Sequence, residues 1–423
     1  MQASLSAGMV IVGAGHCGGR AAQALREAGW AGPIHLVGME HHAPYERPPL
    51  SKELLTGEKT AEDCQLRSVQ TMIDDDIHLH TQRVSSIDTV AHCIALANGE
   101  VLPYYRLLLA TGGGARCLDI PGAELPEVLT LRTVDDALLL AQRLGEGRRL
   151  LVIGGGFIGL EVAASARRTG MAVTLLEGAS RLLGRTVPAD VAASVHALHQ
   201  ARGVDVRLDM LPTAIAPHSP CGVRVHLRDG SHIDTDTVIV GIGMKPATEL
   251  ARAAGLAVAQ GILVDAHLRT SAPDVFAAGD VAEFPGPLSG QPMRQETWFN
   301  AETQARVAAR NMLCDQTDVM ERVQQAPWFW SDQYDHQLQV CGEPALGTHT
   351  VKRELGEGMH ITFHLDEQNR AVGMSAWGVT QKCLKDFKLA RMLVERRVHA
   401  HPEELRDPAV KLKALVSGMA VAT

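Results

Sequence analysis

One pattern is written twice in this chain, and it constrains the fold more than anything else. Met9–Glu40 reads MVIVGAGHCGGRAAQALREAGWAGPIHLVGME, and Leu150–Glu177 reads LLVIGGGFIGLEVAASARRTGMAVTLLE. Each is an apolar strand, a glycine-rich turn, a helix of small residues, a second apolar strand and a terminal acid. That is a βαβ unit. Parallel strands joined by helical crossovers bury both sheet faces, so the class is α/β with largely parallel sheets. YYRLLLATGGG and DTVIVGIGMKP supply further strands of the same texture. From about Ala326 the texture changes. WFWSDQY, LQVCG and GMHITFHL read as strands of an antiparallel sheet, and CLKDFKLARMLVERRV reads as a helix.

The two turns carry chemistry. In the first, Gly13 permits the tight turn, Gly15 lets backbone approach a pyrophosphate, and Gly18 lets helix and strand pack closely. The pyrophosphate would face free N–H groups at the positive end of the helix. Glu40 follows Gly18 by 22 residues. The second turn has Gly154, Gly156 and Gly159, with Glu177 placed 18 residues after Gly159. An acid at that strand end accepts from both ribose hydroxyls and repels a 2′-phosphate, so NAD is preferred over NADP. Arg181 and Arg185 follow; they work against that preference, or line a solvated face, or contact adenosine phosphates. His16 and Cys17, inside the first loop, read as incidental fillers.

Two such folds suggest two dinucleotides: a flavin that stays and a nicotinamide that exchanges. DVFAAGD supports the flavin, because Gly279-Asp280 at its end would put an acid at a helix N-terminus, within reach of a ribityl hydroxyl. The fold class is therefore α/β, with two Rossmann-like dinucleotide-binding domains and a C-terminal α+β domain. The boundaries expected are 1–113 and 246–325 for the FAD-binding domain, 114–245 for the NADH-binding domain and 326–423 for the last.

Composition narrows the class. Hydrophobic content is 46%, charged content 21% and net charge −8. That balance suits a soluble globular protein and argues against a nucleic-acid partner. No apolar run is long enough for a membrane span, and the start lacks a signal-peptide pattern. Eight cysteines stand at 17, 64, 93, 117, 221, 314, 341 and 383. None forms C-x-x-C and no spacing suggests a metal site, so they read as reduced thiols of a cytoplasmic protein.

The chain resembles the FAD-dependent, NADH-using ferredoxin reductases of bacterial oxygenase systems, which share the glutathione reductase-like fold. The resemblance covers nearly the whole chain. It rests on VIVGAGHCGG, PYERPPLSK, LLLATG, LLVIGGGFIGLE, VFAAGD, and above all ETWFNAETQAR and PWFWSDQYDHQLQVCG. It implies roles by position. Glu40 is placed on the adenosine ribose of FAD, and Arg47 and Lys52 beside the flavin. Val84 is an adenine contact, Thr111 and Gly112 form a flavin-domain turn, and Arg132 is a further FAD contact. Asp280 binds the ribityl chain and Trp298 lies beside the ring. Glu161 is an acid near the nicotinamide, close to Lys52. Ile158, Arg185 and Gly243 join the NADH-binding set.

The loop EHHAPYERPPLSK then makes sense. Its two prolines, Pro48 and Pro49, fix φ and cut the loop's freedom, as is needed to hold charges in place. Lys52 and Glu161, if paired, put a charge couple beside the site of hydride transfer, where alignment matters more than a proton donor.

Thiol redox catalysis is disfavoured, since the loop after the second strand holds no cysteine: none lies between 17 and 64. Electrons would leave singly to a separate [2Fe-2S] ferredoxin, since no cysteine cluster here could hold such a centre. Ferredoxins are acidic, so docking calls for local basic charge. Arg306 and Arg310 are candidates, with Trp330, and so are Lys382, Lys385, Lys388 and Arg391. One of Trp328 and Trp330 is expected in the core. The reading is an NADH:ferredoxin reductase serving a terminal oxygenase, a Rieske-type aromatic-ring dioxygenase first. Alternatives are a haem-thiolate monooxygenase system, reduction of rubredoxin or monodehydroascorbate, and an NADH-responsive flavoprotein sensor.

Overall fold

The computed structural model describes residues 7–184, 186–218 and 222–418. Its residues fall into two compact units. The first comprises residues 1–47, 61–114 and 245–327; the second comprises 48–60, 115–244 and 328–423. The chain therefore crosses between units at Arg47/Pro48, inside the proline-rich loop, rather than only near 113 and 245.

In the first unit a parallel sheet orders Ile77–Thr81, Ile34–Gly38, Gly8–Val12 and Val101–Leu109. Val275–Ala277 joins it, parallel to Val101–Leu109. Beyond Val101–Leu109 the sheet turns antiparallel through Cys93–Leu96 and Val84–Asp88. Met9, Val10 and Ile11 are wholly buried, as expected of a strand covered on both faces. Helices His16–Glu27 and Trp298–Asn311 pack on one another. Arg106 anchors the far end of the second one. It is 6% exposed and donates to the carbonyls of Met312 (2.8 Å) and Cys314 (2.7 Å). These are groups that a helix end leaves without intrahelical donors.

The second unit holds a parallel sheet in the order Val204–Arg207, Ala172–Leu176, Arg149–Ile153, Thr237–Val240, Val128–Thr130. Helix Phe157–Arg168 follows its central strand. The same unit contains the five-stranded sheet Trp328–Gln333, His336–Gly342, Ala371–Val379, Met359–Leu365 and His349–Gly356, all pairs antiparallel. Helix Thr380–Glu395 packs on it. Both strands and helix lie where the sequence put them. Among the described residues, no helix is long and apolar enough to cross a membrane.

Two histidines of this unit are buried without charge. Burial pushes His199 down to about 4, against the hydrogen bond that its ring donates to Gln333 Oε1 and helped by His196. Burial likewise pushes His364 down to about 4, against the charge of Asp190. A histidine held neutral in the folded state but free to protonate near 6.5 when unfolded gives stability that is complete above 6.5. That stability declines as pH falls toward 4. We therefore expect the melting temperature to drop between pH 7.5 and 5. The drop should shrink in His364→Gln, as read by calorimetry at each pH.

Candidate functional site

Each glycine loop divides its labour in the same way. At Gly13, φ is +115°, and a Cβ would lie 2.1 Å from the Ala110 carbonyl oxygen. At Gly154, φ is +112°, and a Cβ would lie 2.4 Å from the Gly241 oxygen. Both positions exclude any side chain on two counts, conformation and space. The third glycines are as tight: Cβ atoms on Gly18 and Gly159 would meet the Gly13 and Gly154 oxygens at 1.8 and 2.0 Å. The middle glycines are different. A Cβ on Gly15 would meet only Arg47 Nη2 at 3.7 Å, and one on Gly156 only the Gly241 oxygen at 4.0 Å. Backbone there faces open space in front of a helix start, His16–Glu27 or Phe157–Arg168. Both cradles have the form that a pyrophosphate fills, with glycine at the point of closest approach.

The acids beyond the cradles are already engaged. Glu40 accepts from the Tyr45 hydroxyl and, at 3.2 Å, from Arg47 Nη2. The Arg47 guanidinium also lies over the Tyr45 ring, 5.4 Å from its centre. Glu177 accepts from the backbone N–H of Gly155 at 2.7 Å and of Ala179 at 2.8 Å. Its carboxylate is thus fixed at the rim of the second cradle, with acceptor capacity remaining on each oxygen. Arg181 turns to the Gly184 carbonyl at 2.6 Å, and Arg185 lies outside the described residues. Ile158 is 44% exposed on the helix that follows. Gly243 has φ +102° and accepts from the Arg116 N–H at 2.9 Å.

Lys52 and Glu161 do pair. Lys52 Nζ lies 3.0 Å from Glu161 Oε2, with the two side chains 15% and 5% exposed. Ser51 Oγ donates to the same oxygen at 2.5 Å, and Ser331 Oγ donates to Oε1 at 2.5 Å. Pro48–Ser51 forms one 3-10 turn. The turn is tied to helix Phe157–Arg168 where Ser165 Oγ donates to the Ser51 carbonyl at 2.7 Å. The prolines thus set two consecutive side chains, Ser51 and Lys52, onto one carboxylate. Neither Ser51 nor Ser331 was singled out in the sequence, although both stand inside quoted motifs.

Other predicted residues are placed as follows. Thr111 Oγ1 donates to the Ala247 carbonyl at 2.8 Å, and Gly112 has φ +57°. The Val84 side chain belongs to the apolar core with Leu96 and Tyr104, which leaves its backbone for any ligand. Gly279 has φ +79°, and its N–H donates to Gln304 Oε1 at 2.8 Å. Asp280 lies within the single 3-10 turn Gly279–Val281, which runs into a strand. It is therefore not at a helix N-terminus as expected; one turn without a continuing helix has no summed dipole. Trp298 opens helix Trp298–Asn311. The Arg132 backbone N–H donates to Asp136 Oδ2 at 2.9 Å, and Arg132 and Lys52 belong to the second unit.

His16 is no filler. Its Nε2 lies 2.9 Å from Glu302 Oε2, and its ring is tilted against Trp298 at 5.3 Å. Glu302 also pairs with Arg20 at 3.0 Å and with Arg306 at 2.5 Å. Burial raises its carboxyl. The His16 hydrogen bond and the Arg20 charge outweigh this and hold it below the usual range. Arg306 is thus a partly neutralised cation, as is Arg310, which pairs with Glu321 at 2.7 Å. Lys382 pairs with Glu357; Lys385 and Lys388 are exposed. Trp328 and Trp330 are both half-buried and stack on each other at 5.1 Å, with Arg391 over Trp328. Neither belongs to the core, because each indole N–H reaches a polar partner, Gln339 or Asp332.

Residues 8–305 match the pyridine nucleotide-disulphide oxidoreductase family, and residues 328–416 match the reductase C-terminal domain. The chain belongs to this family. It is similar to the ferredoxin–NAD(+) reductase component of the anthranilate 1,2-dioxygenase system of Burkholderia cepacia. The two are 40% identical, over 96% of this chain and 98% of the relative. Putidaredoxin reductase of Pseudomonas putida is 36% identical over 97% of this chain and 96% of its own length. The solved covalent putidaredoxin reductase–putidaredoxin complex superposes with a TM-score of 0.92, covering 98% of this chain and 99% of that one. As in the family's ferredoxin–NAD(+) reductases, FAD and NAD(H) are the cofactors.

The cradles make a paired prediction. Gly15→Ala should fold with near-normal stability but purify without the yellow flavin absorbance. Gly13→Ala should lose more than about 1 kcal/mol of stability, measured by urea unfolding. Both losing stability equally would show that Gly15 serves packing rather than ligand approach.

Proposed function

We propose that this chain is an NADH-dependent ferredoxin reductase of the cytoplasm, supplying a separate [2Fe-2S] ferredoxin that feeds a terminal oxygenase. The oxygenase is a Rieske-type aromatic-ring dioxygenase; relatives are named for the anthranilate and benzene 1,2-dioxygenase systems. The observation that carries the reading is the Lys52–Glu161 pair, fixed in the same unit as the second cradle.

FAD, when bound, accepts two electrons as hydride from NADH and releases them singly. In the first unit, Gly13, Gly15 and Gly18 receive its pyrophosphate and Glu40 and Arg47 its adenosine end, with the Val84 backbone at the adenine. Thr111, Gly112, Gly279, Asp280 and Trp298 serve the flavin end, and Arg132 and Lys52 are kept as flavin contacts on the family resemblance. Gly154, Gly156 and Gly159 receive the NADH pyrophosphate, flanked by Ile158 and Gly243. Arg185 is kept in that set on the family resemblance.

Glu177 sets the choice of nucleotide. Its carboxylate is immobilised by two backbone N–H groups, so its charge cannot swing away from a 2′-phosphate. Lys52 and Glu161 orient the reacting partners and exclude water. Their mutual neutralisation leaves a dipole rather than a net charge in a pocket of low dielectric. Arg306, Arg310 and Trp330 serve docking. Since both arginines already have carboxylate partners, the ferredoxin's acids compete with Glu302 and Glu321 for them, and association should weaken steeply with salt.

An anaerobic stopped-flow mix with NADH, then NADPH, followed by a push of oxidised [2Fe-2S] ferredoxin tests the whole reading. Flavin bleaching by NADH and reoxidation by ferredoxin are expected; bleaching that ferredoxin cannot reverse would move the protein to the sensor class. Glu177→Gln removes the charge but keeps an acceptor, and should raise the NADPH/NADH rate ratio about tenfold. Arg310→Glu should raise KM for ferredoxin several-fold with a smaller change in kcat, measured by ferredoxin-coupled cytochrome c reduction.

A further inference from the structure

A buried file of hydrogen bonds leads from Glu161 into the C-terminal sheet and on to a helix. Ser331 Oγ donates to Glu161 Oε1 at 2.5 Å, and Gln333 Nε2 donates to Ser331 Oγ at 2.9 Å. His199 Nε2 lies 2.9 Å from Gln333 Oε1. Ser331, Gln333 and His199 are 0%, 1% and 0% exposed. Ser331 and Gln333 are two apart on strand Trp328–Gln333, so they share one face. His199 sits in the last turn of helix Ala189–Ala201. One strand and two helices distant in sequence are thus joined in a single file of bonds.

The file has one direction. A carboxylate only accepts, so the Ser331 hydroxyl proton points at Glu161. The serine oxygen then accepts, which turns the Gln333 NH₂ toward it and the Gln333 oxygen toward His199. That oxygen requires a proton on His199 Nε2. The other ring nitrogen, Nδ1, is buried with no hydrogen-bond partner among the described residues, as a bare lone pair on a neutral ring can be. Every donor therefore points toward Glu161, and each bond polarises the next.

We propose that Ser331, Gln333 and His199 are positioning residues for the Lys52–Glu161 pair. The proposal rests on the reading that this pair serves FAD reduction by NADH. Ser51 and Lys52 share Oε2, and Ser331 alone holds Oε1 among the bonds described. Without a locked Ser331, the carboxylate can rotate about its terminal bond and carry Lys52 with it. Gln333 locks the hydroxyl, and His199 locks the amide against flipping. His196, Tyr334 and Arg202 surround the far end: Tyr334 tilts against the His199 ring at 5.3 Å, and the Arg202 guanidinium covers Tyr334 at 5.1 Å.

The test has two independent readouts. In ¹⁵N-histidine spectra of the holoprotein, assigned by loss of the His199 signals in His199→Gln, we expect Nε2 protonated and Nδ1 bare. The ring should not titrate between pH 5 and 8. A protonated Nδ1 would overturn the directed chain, whatever the catalytic role of Glu161. In stopped-flow reduction by NADH, His199→Leu and Gln333→Leu should lower the limiting rate by up to about tenfold, the upper end for a lost hydrogen bond between neutral groups. The NADH concentration for half-maximal rate should change less than about twofold. His199→Gln, whose amide N–H stands in for Nε2–H, should recover most of the rate. If it is as slow as His199→Leu, or only the half-saturating concentration changes, the positioning role falls. Glu161→Gln separates the two readings: an unchanged limiting rate would sink the role of the pair in reduction, while the spectra still judge the chain.

Discussion

The Glu161 carboxylate is the constraint around which the second unit is assembled. Removing a charge from water costs several kcal/mol, and attraction to one cation offsets that cost only when hydrogen bonds satisfy the remaining lone pairs. Here Lys52, Ser51 and Ser331 supply them. Glu161 stands on the crossover helix Phe157–Arg168, and its partners come from the proline-rich loop and an antiparallel strand. Each of those elements is therefore needed in register before the carboxylate is satisfied. The T-shaped contact of Phe157 with Phe329, at 5.0 Å, seals the same junction on its apolar side.

Much of this was legible in the sequence because it is local. The glycine spacings report backbone geometry within one turn, so the cradles, the strands before them and the helices after them could be read residue by residue. The Lys52–Glu161 pairing was suggested by family position. Its serines were not, because Ser331 lies 170 residues from Glu161 and Ser51 lies 110 from it, and serine carries no periodic signal. The same limit hid His16–Glu302, separated by 286 residues. The histidine stands in a glycine loop, where small residues prevail, and that oddity was the available clue. The expectation for Asp280 failed for another reason: DVFAAGD was read as leading into a helix, but AEFP continues as a strand.

Charge at the first unit's helix Trp298–Asn311 is organised from inside outward. Glu302 is 6% exposed and gathers His16, Arg20 and Arg306 around it. The outermost arginine is 62% exposed in its side chain, so it can be shared with an incoming carboxylate while its stem stays on the helix. A surface cation is thereby oriented by a buried anion, which limits the side-chain freedom a partner would otherwise have to remove.

The family takes its name from disulphide chemistry, yet this chain keeps the sulfur of its first loop out of play. Cys17 is buried against Gly279, and burial, with the charges of Asp280 and Glu302, drives its thiol far above the ordinary range. Cys341 is insulated in the same way, chiefly by burial. Since the thiolate is the form that oxidants and alkylating agents attack, these positions are passivated. Among the described cysteines, Cys117 is the exposed one. A protein that handles reducing equivalents beside oxygen chemistry thus keeps these buried thiols unreactive and leaves Cys117 as the exposed one among the described residues.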